Sequence, residues 1–337
     1  MKKTRWAVVG TSDFAMDWIA EAIRSAANTE LAAIVSRDAA RARHAAQRLQ
    51  VEHYATSIET LDRSLVDGVF IVTPNQTHAP LAIAAVRRGF HVVVEKPMAP
   101  TPGDCREMIL AARQTGVVLA VGHCTTWAPP VVAAKELIAS GAIGRVVNAN
   151  MWKGFVAPPD GKWRQQEGIA DGGGPLFDLG SHSVYTYMDL FGEVTSVSAL
   201  ADAATSDYPS GDLHSMMLRF KDPIHATAMT SFAVAANQCE IIGTKGRLVS
   251  NEWGGRSFAG ELIIEKNGTR EQVPLRTVNV YEKQIENVSD HILHGTDLQT
   301  DPLLGYAVVS VLANAVESIE HRRVVPCPSW SDLAALS

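Results

Sequence analysis

Asp178 and His182 stand four residues apart, just after the run Gly172-Gly173-Gly174-Pro175. Proline after glycines suits a helix start. A spacing of four then puts a carboxylate and an imidazole on one helix face, with Tyr185 close by. Such a pair can move protons near neutral pH, because the carboxylate orients the ring and supports its charged form. Taken alone, a hydrogen-bonded core histidine is the plainer reading. Lys96 is a second reactive group. In Glu95-Lys96-Pro97 a charged pair closes the apolar run His91–Glu95. Burying such a pair costs free energy unless it is paired or used. A strand-end lysine that simply reaches solvent is the alternative.

Three further motifs are of the kind that holds a dinucleotide. Gly10-Thr11-Ser12-Asp13-Phe14-Ala15 follows an apolar run and opens a helical pattern. Gly10 permits a tight turn, and Ala15 is small enough for close helix–strand packing. Backbone amides at the helix start can hold pyrophosphate. Ser12 replaces the fingerprint's second glycine; it is small and adds a hydroxyl. An ordinary strand-to-helix turn would read the same way. Ser36-Arg37-Asp38 follows the second strand. An acid there binds the ribose 2′-hydroxyl of NAD, whereas an arginine accommodates the 2′-phosphate of NADP. Ser36 and Arg37 favour NADP. NAD is the alternative, with Arg37 stacked on adenine. Asp38 reads as the cap of the next helix. Thr73-Pro74-Asn75, with His78, forms a polar loop where cofactor would pass. A helix capped by Thr77 is the competing reading.

The elements that must position these groups alternate. Strand-like runs at Trp6–Gly10, Leu31–Val35, Val69–Val72, His91–Glu95 and Val117–Val121 are separated by helical patterns at 13–27, 38–49, 77–88 and beyond Thr101. Thr101-Pro102-Gly103-Asp104 supplies a cap, a first-turn proline and an acid able to reach back. This order predicts a parallel Rossmann sheet with ligand sites at the carboxyl ends of its strands. The Gly10, Ser36, Pro74, Lys96 and His123 regions should share that edge. After residue 124 the pattern changes. A helix at 131–140 follows Pro129-Pro130, then come a strand at 145–152, an irregular segment at 157–161 and a helix near 175–191. Strand-like runs at 194–201, 213–220, 225–234, 238–243, 246–251, 261–265 and 271–275 precede helices near 280–294 and 302–321. The prediction is an α/β dinucleotide-binding domain over 1–124. An α+β substrate-binding and oligomerisation domain, with a large, mainly antiparallel sheet, covers 125–337, and its final helices are free to pack back on the first domain.

The 337 residues suffice for two cores. Thirty basic against 36 acidic residues leave a net charge of −6, which disfavours nucleic acid or an anionic membrane as partner. Cys105, Cys124, Cys239 and Cys327 form no C-x-x-C pair, so buried reduced thiols are expected, not zinc or thioredoxin-type chemistry. The apolar run behind the basic start is too short for a signal peptide. No stretch reads as a membrane span. A cytoplasmic location is the default expectation.

In order, the glycine turn, S-R, T-P-N with His78, E-K-P, and W-R followed by G-G-G-x-L-x-D-x-G-x-H resemble the Gfo/Idh/MocA oxidoreductases, the glucose–fructose oxidoreductase and inositol dehydrogenase group. The motifs span residues 5–192, and the rest of the chain is compatible. The resemblance implies hydride exchange between a nicotinamide and a ring carbon of a sugar, polyol or related diol. Cofactor contacts are expected from Gly10 through Ala15, Ser36, Arg37, Thr73, Pro74, Asn75, His78, Glu95 and Lys96. The resemblance places Lys96 beside nicotinamide and substrate, with Asp178 and His182 on the opposite wall and His182 as the proton carrier. Trp163-Arg164 matches the family's W-R and, with Tyr185, falls on the substrate side. A homodimer or homotetramer through the C-terminal sheet is also implied. Three departures stand out: Ser12, Tyr185 in place of a frequent aspartate, and a 122–127 stretch lacking an arginine often found there. A non-catalytic sensor and an NAD-assisted glycoside hydrolase are the rival readings.

Overall fold

The computed structural model describes residues 2–158, 161, 163–254 and 259–329. The chain divides into two compact units. One comprises Met1–Cys124 with Asn279–Tyr306, the other Thr125–Val278 with Ala307–Ser337.

In the first unit, β1 (Thr4–Val9), β2 (Thr29–Val35), β3 (His53–Ala55), β4 (Gly68–Ile71), β5 (His91–Glu95) and β6 (Leu119–Gly122) form one sheet in the order β3-β2-β1-β4-β5-β6. Every pairing is parallel. Helices cover such a sheet on both faces, which explains why Val8, Val69 and Val92–Val94 form unbroken apolar runs with no exposure. The three-residue β3 has too little pattern to be seen in the sequence. The first crossover is a π-helical turn, Ala15–Ala20, running into α1 (Glu21–Ser25). The other crossovers are α2 (Ala39–Arg48), α3 (His78–Arg87) and α4 (Pro102–Thr115). Asp38 caps α2 as the sequence suggests, accepting from the Ala40 and Arg41 amides. At α4 the Asp104 amide donates to Thr101 Oγ1, and the Thr101 hydroxyl donates to the Asp104 carboxylate at 2.7 Å. The acid therefore binds the cap's side chain.

The second unit opens with α5 (Pro129–Ala139), whose two prolines form its first turn and do not precede it. After β7 (Val146–Gly154) come α6 (Trp163–Gln166), a second π-helical turn at Leu176–Gly180, and α7 (Ser181–Phe191). Pro159 and Asp160 of the irregular segment lie outside the described residues. Then follow β8 (Val194–Asp202), β9 (Leu213–Phe220), β10 (His225–Ser231), β11 (Ala236–Gly243), β12 (Gly246–Ser250), β13 (Ile263–Lys266) and β14 (Thr269–Gln272). With β15 (Val325–Pro326) they order as β14-β13-β12-β11-β7-β10-β9-β8-β15. The large sheet is antiparallel except between β7 and β10, which run parallel. Its side chains alternate: Ala149, Met151, Met216 and Ala228 are buried, whereas Trp152, Leu200 and Met217 are exposed. The last hairpin is tighter than the runs at 261–265 and 271–275 suggested, with strands only four residues long that lie closer together. Asn267 and Gly268 both take positive φ, 53° and 76°, giving the two-residue turn whose twist matches paired strands.

Two helices follow β14 and precede β15. α8 (Val280–His294) belongs to the first unit, where Trp6 Nε1 donates to Ser289 Oγ at 3.0 Å and Gln284 Nε2 to the Val121 carbonyl at 3.2 Å. α9 (Pro302–His321) is long and apolar enough to cross a membrane, contrary to the sequence expectation that no stretch would be. Gly305, Tyr306, Ser310 and Asn314 break its apolar run and hide its mean character. Over half of its most apolar window is buried inside the protein, and Val308, Val309 and Leu312 are core residues, which is how a core helix behaves.

Candidate active site

The carboxyl ends of the parallel strands bring the first group of residues together. Gly10 ends β1 with φ +119°, and its amide donates to the Val35 carbonyl at 2.9 Å. A Cβ here would overlap the Val72 carbonyl oxygen. The result is a bare backbone cradle at the point where strand order reverses, which suits close approach by a pyrophosphate. Ser12 acts differently from a second glycine. Its Oγ accepts from the Ala15 amide at 3.2 Å and its carbonyl from the Met16 amide at 3.0 Å, so it caps the helix start. Its own hydroxyl proton can still point outward. Thr11 and Ser36 hydroxyls lie 3.5 Å apart, and Arg37 is solvent-exposed. Asp38 is committed to α2, which leaves Ser36 and Arg37 as the side chains of this motif that can meet a ribose.

After β4, Thr73 and Pro74 are accessible while Asn75 is buried. Thr77 does not cap α3; its hydroxyl bonds to Thr73 Oγ1 and to the Pro74 carbonyl, both at 2.7 Å. His78 is 1% exposed. Its Nδ1 lies 2.9 Å from the Pro97 carbonyl oxygen and its Nε2 2.9 Å from that of Thr73. The ring is thus part of the loop framework, although the sequence reading offered it as a cofactor contact. Glu95 is buried, and its Oε2 accepts from the Lys96 amide at 3.1 Å. The Lys96–Pro97 peptide is cis. Burial pushes His78 down to about 4, and the nearby Lys96 charge adds to this. Burial together with Lys96 pushes His123, which is also buried, down to about 3. Two neutral imidazoles therefore stand within electrostatic reach of the lysine.

The second unit assembles the other group. Gly174 takes φ +75°, where a Cβ would sit 2.5 Å from the Ser210 hydroxyl, so the glycine run is needed to enter the π-helical turn. Asp178 lies in that turn and His182 in the first turn of α7. The local bonding is i→i+5, not the α pattern assumed from spacing, and such turns recur at functional sites. Arg164 Nη1 is 3.4 Å from Asp178 Oδ2, and its guanidinium lies 5.8 Å from the Trp163 ring centre. The W-R motif and the acid thus meet. Tyr185 is fully buried. Sequence reasoning missed Asp189, which accepts from Lys135 Nζ at 2.6 Å and Thr126 Oγ1 at 2.9 Å and anchors α7 beyond His182. Its seven-residue spacing from His182 was the available signal. Among the described residues no group of three or more His, Cys, Asp or Glu is arranged to hold a metal ion.

A family model described as an oxidoreductase family with an NAD-binding Rossmann fold (Gfo/Idh/MocA) matches residues 4–123, and that family's C-terminal domain matches residues 131–249. The chain belongs to the Gfo/Idh/MocA family. This family member is similar to 1,5-anhydro-D-fructose reductase of Ensifer adhaerens, 31% identical over 286 residues, 82% of this chain and 85% of the relative. It is similar also to scyllo-inositol 2-dehydrogenase (NADP(+)) of Bacillus subtilis, 25% identical over 287 residues, 77% of this chain and 78% of the relative. Among solved structures, aldose-aldose oxidoreductase from Caulobacter crescentus, complexed with glycerol, matches with a TM-score of 0.90 at 25% identity, covering 96% of this chain and all of that one. A levoglucosan dehydrogenase complexed with NADH and levoglucosan shares the fold, with a TM-score of 0.85 at 22% identity over 97% of this chain and 100% of that one.

The buried histidines give the family member a defined acid sensitivity. Both have folded pKa values below the ordinary 6.5. The unfolded chain therefore takes up protons first as pH falls. Their contribution is complete above about pH 6.5 and is lost from there down toward their folded values. Urea unfolding should show a loss on the order of 2 kcal/mol per histidine between neutral pH and about pH 5. Stability unchanged over that interval would contradict the buried, neutral assignment.

Proposed function

We propose that this oxidoreductase exchanges hydride between the nicotinamide of NADP(H) and a hydroxyl-bearing ring carbon of a sugar, polyol or related diol. The observation that carries the reading is the shared edge in the first unit. There the bare Gly10 turn and Lys96 both stand at the carboxyl ends of parallel strands. Relatives named for 1,5-anhydro-D-fructose and scyllo-inositol support the substrate class.

The amides of Thr11–Phe14 and the hydroxyls of Thr11 and Ser12 hold the pyrophosphate, with Ala15 packed behind them, and Ser36 with Arg37 takes the 2′-phosphate. Thr73, Pro74 and Asn75 line the cofactor's path, and Glu95 fixes the start of the lysine loop. The nicotinamide, when bound, supplies the hydride chemistry. Lys96 donates a hydrogen bond to the reacting oxygen and polarises it. His182 takes or returns that oxygen's proton, and Asp178 supports the ring's charged form. Arg164 orients Asp178 and, with Trp163, shapes the substrate side. The four free thiols suit a reducing cytoplasm.

The exposed face of the large sheet is the proposed self-association surface. Gln238, Trp152, Met229, Ser215 and Leu200 face one another across five adjacent strands. Leu200 is 67% and Met217 57% exposed, and apolar surface grouped in this way marks an interaction site.

Four outcomes follow. Nicotinamide fluorescence titration should give tighter binding of NADPH than of NADH. Arg37→Ala should weaken NADPH by about tenfold or more while hardly moving NADH, as loss of one charge-assisted contact does; equal effects on both cofactors would remove Arg37 from the 2′-phosphate. Lys96→Met should cut turnover by about 10²–10⁴-fold at unchanged cofactor affinity, and undiminished turnover would sink its role. The double variant Leu200→Lys with Met217→Lys should sediment as a smaller species than the parent protein, and an unchanged mass would move the interface elsewhere.

A further inference from the structure

His78 touches two loops at once. It is the first residue of α3, yet its ring reaches the Thr73 carbonyl after β4 and the Pro97 carbonyl after β5. We propose that His78 is a positioning residue for Lys96, holding the Pro97 carbonyl through Nδ1–H and so fixing the loop that carries the lysine. The proposal rests on the reading of Lys96 as the group that polarises substrate.

The ring carries fewer protons than its neighbours can accept. Each ring nitrogen faces a carbonyl oxygen, and carbonyls only accept. Burial and the neighbouring Lys96 charge keep the ring neutral. A neutral imidazole has one N–H for two acceptors. The contact with Pro97 is buried, whereas that with Thr73 is partly buried. A carbonyl with access to water loses little without a protein donor, and a buried one loses much more. The proton therefore belongs on Nδ1, toward Pro97. The Lys96 amide is meanwhile held by Glu95 Oε2. Lys96 thus lies between two ties, one to its own amide and one to the carbonyl of the next residue. A side chain so flanked emerges from a fixed backbone, which a group acting on a reacting atom needs.

The first test uses the wild-type protein labelled with ¹⁵N-histidine. Long-range ¹H–¹⁵N correlation should show His78 as the Nδ1–H tautomer, its signals assigned by their loss in His78→Asn. The Nε2–H tautomer, or a doubly protonated ring at neutral pH, would overturn the proposal. The second test compares two amides. In His78→Asn the side-chain N–H stands near the position of Nδ1, and in His78→Gln near that of Nε2. His78→Asn should keep kcat within a few-fold. His78→Gln should lose kcat on the order of a hundredfold, as small misplacements at a reacting centre do. In both, NADPH affinity should be unchanged, and amide exchange across residues 95–99 should quicken in His78→Gln alone. Equal behaviour of the two variants, or a parallel loss of cofactor binding, would mean that His78 only supports the fold. Lys96→Met, run alongside, separates the two claims. If turnover survives it, the reading of Lys96 fails, while the tautomer and the exchange rates still decide whether the clamp exists.

Discussion

At Gly10 the backbone passes so close to the Val72 carbonyl that only a hydrogen fits in the gap. The close approach joins the end of β1 to the end of β4, the two strands between which the sheet reverses its winding. With β1 paired to β2 on one side and β4 on the other, their loops open onto one edge. Ser36 arrives there from β2, Thr73 from β4, and Lys96 from β5. A larger residue at Gly10 would push β1 and β4 apart and disperse all three. The cofactor cradle is therefore a property of the sheet's own packing and needs no dedicated side chain, which is why Ser12 can stand in for a glycine by capping the helix behind it.

The two groups of candidate site residues meet the cost of placing polar side chains in different ways. The first keeps His78 and His123 neutral. His78 and His123 are buried beside a lysine whose charge disfavours their own. The second uses pairing: Arg164 with Asp178 before α7, and Lys135 with Asp189 further along it. Both pairs are partly exposed, so each is worth little as a stability term. Their effect is geometric. They fix where α7 lies along its axis, and His182 sits between the two anchors.

Much of this was legible in the sequence. Short unbroken apolar runs alternating with period-3.6 segments, punctuated by Gly10, Asp38 and Thr101, made the parallel sheet and its crossovers legible because in those places local preference and tertiary packing agree. The features that escaped are those in which they disagree. β3 is three residues long and relies on β2 for its shape. The π-helical turns at Ala15–Ala20 and Leu176–Gly180 have the composition of ordinary helix, so nothing in the spacing of their residues marks the wider bonding. His78 carries a chemically suggestive side chain, and burial alone assigns it to the framework. The apolar length of α9 was masked by scattered polar residues that a buried helix tolerates. Asp189 offered only its spacing from His182, since its partners Thr126 and Lys135 lie more than fifty residues earlier in the chain.

The first unit is discontinuous in the chain, and this bears on how the protein is made. Trp6 gives its indole N–H to Ser289, and the Val121 carbonyl accepts from Gln284. A nascent chain emerging in order from the ribosome completes all six Rossmann strands early, yet two of their buried groups have partners near its far end. Domains ordinarily settle in the order of synthesis. Here the earlier sheet waits, with the Trp6 indole donor unmatched, while all but the last strand of the large sheet is translated. A fragment ending at Cys124 would keep the Trp6 indole without that partner and the Val121 carbonyl without its second donor.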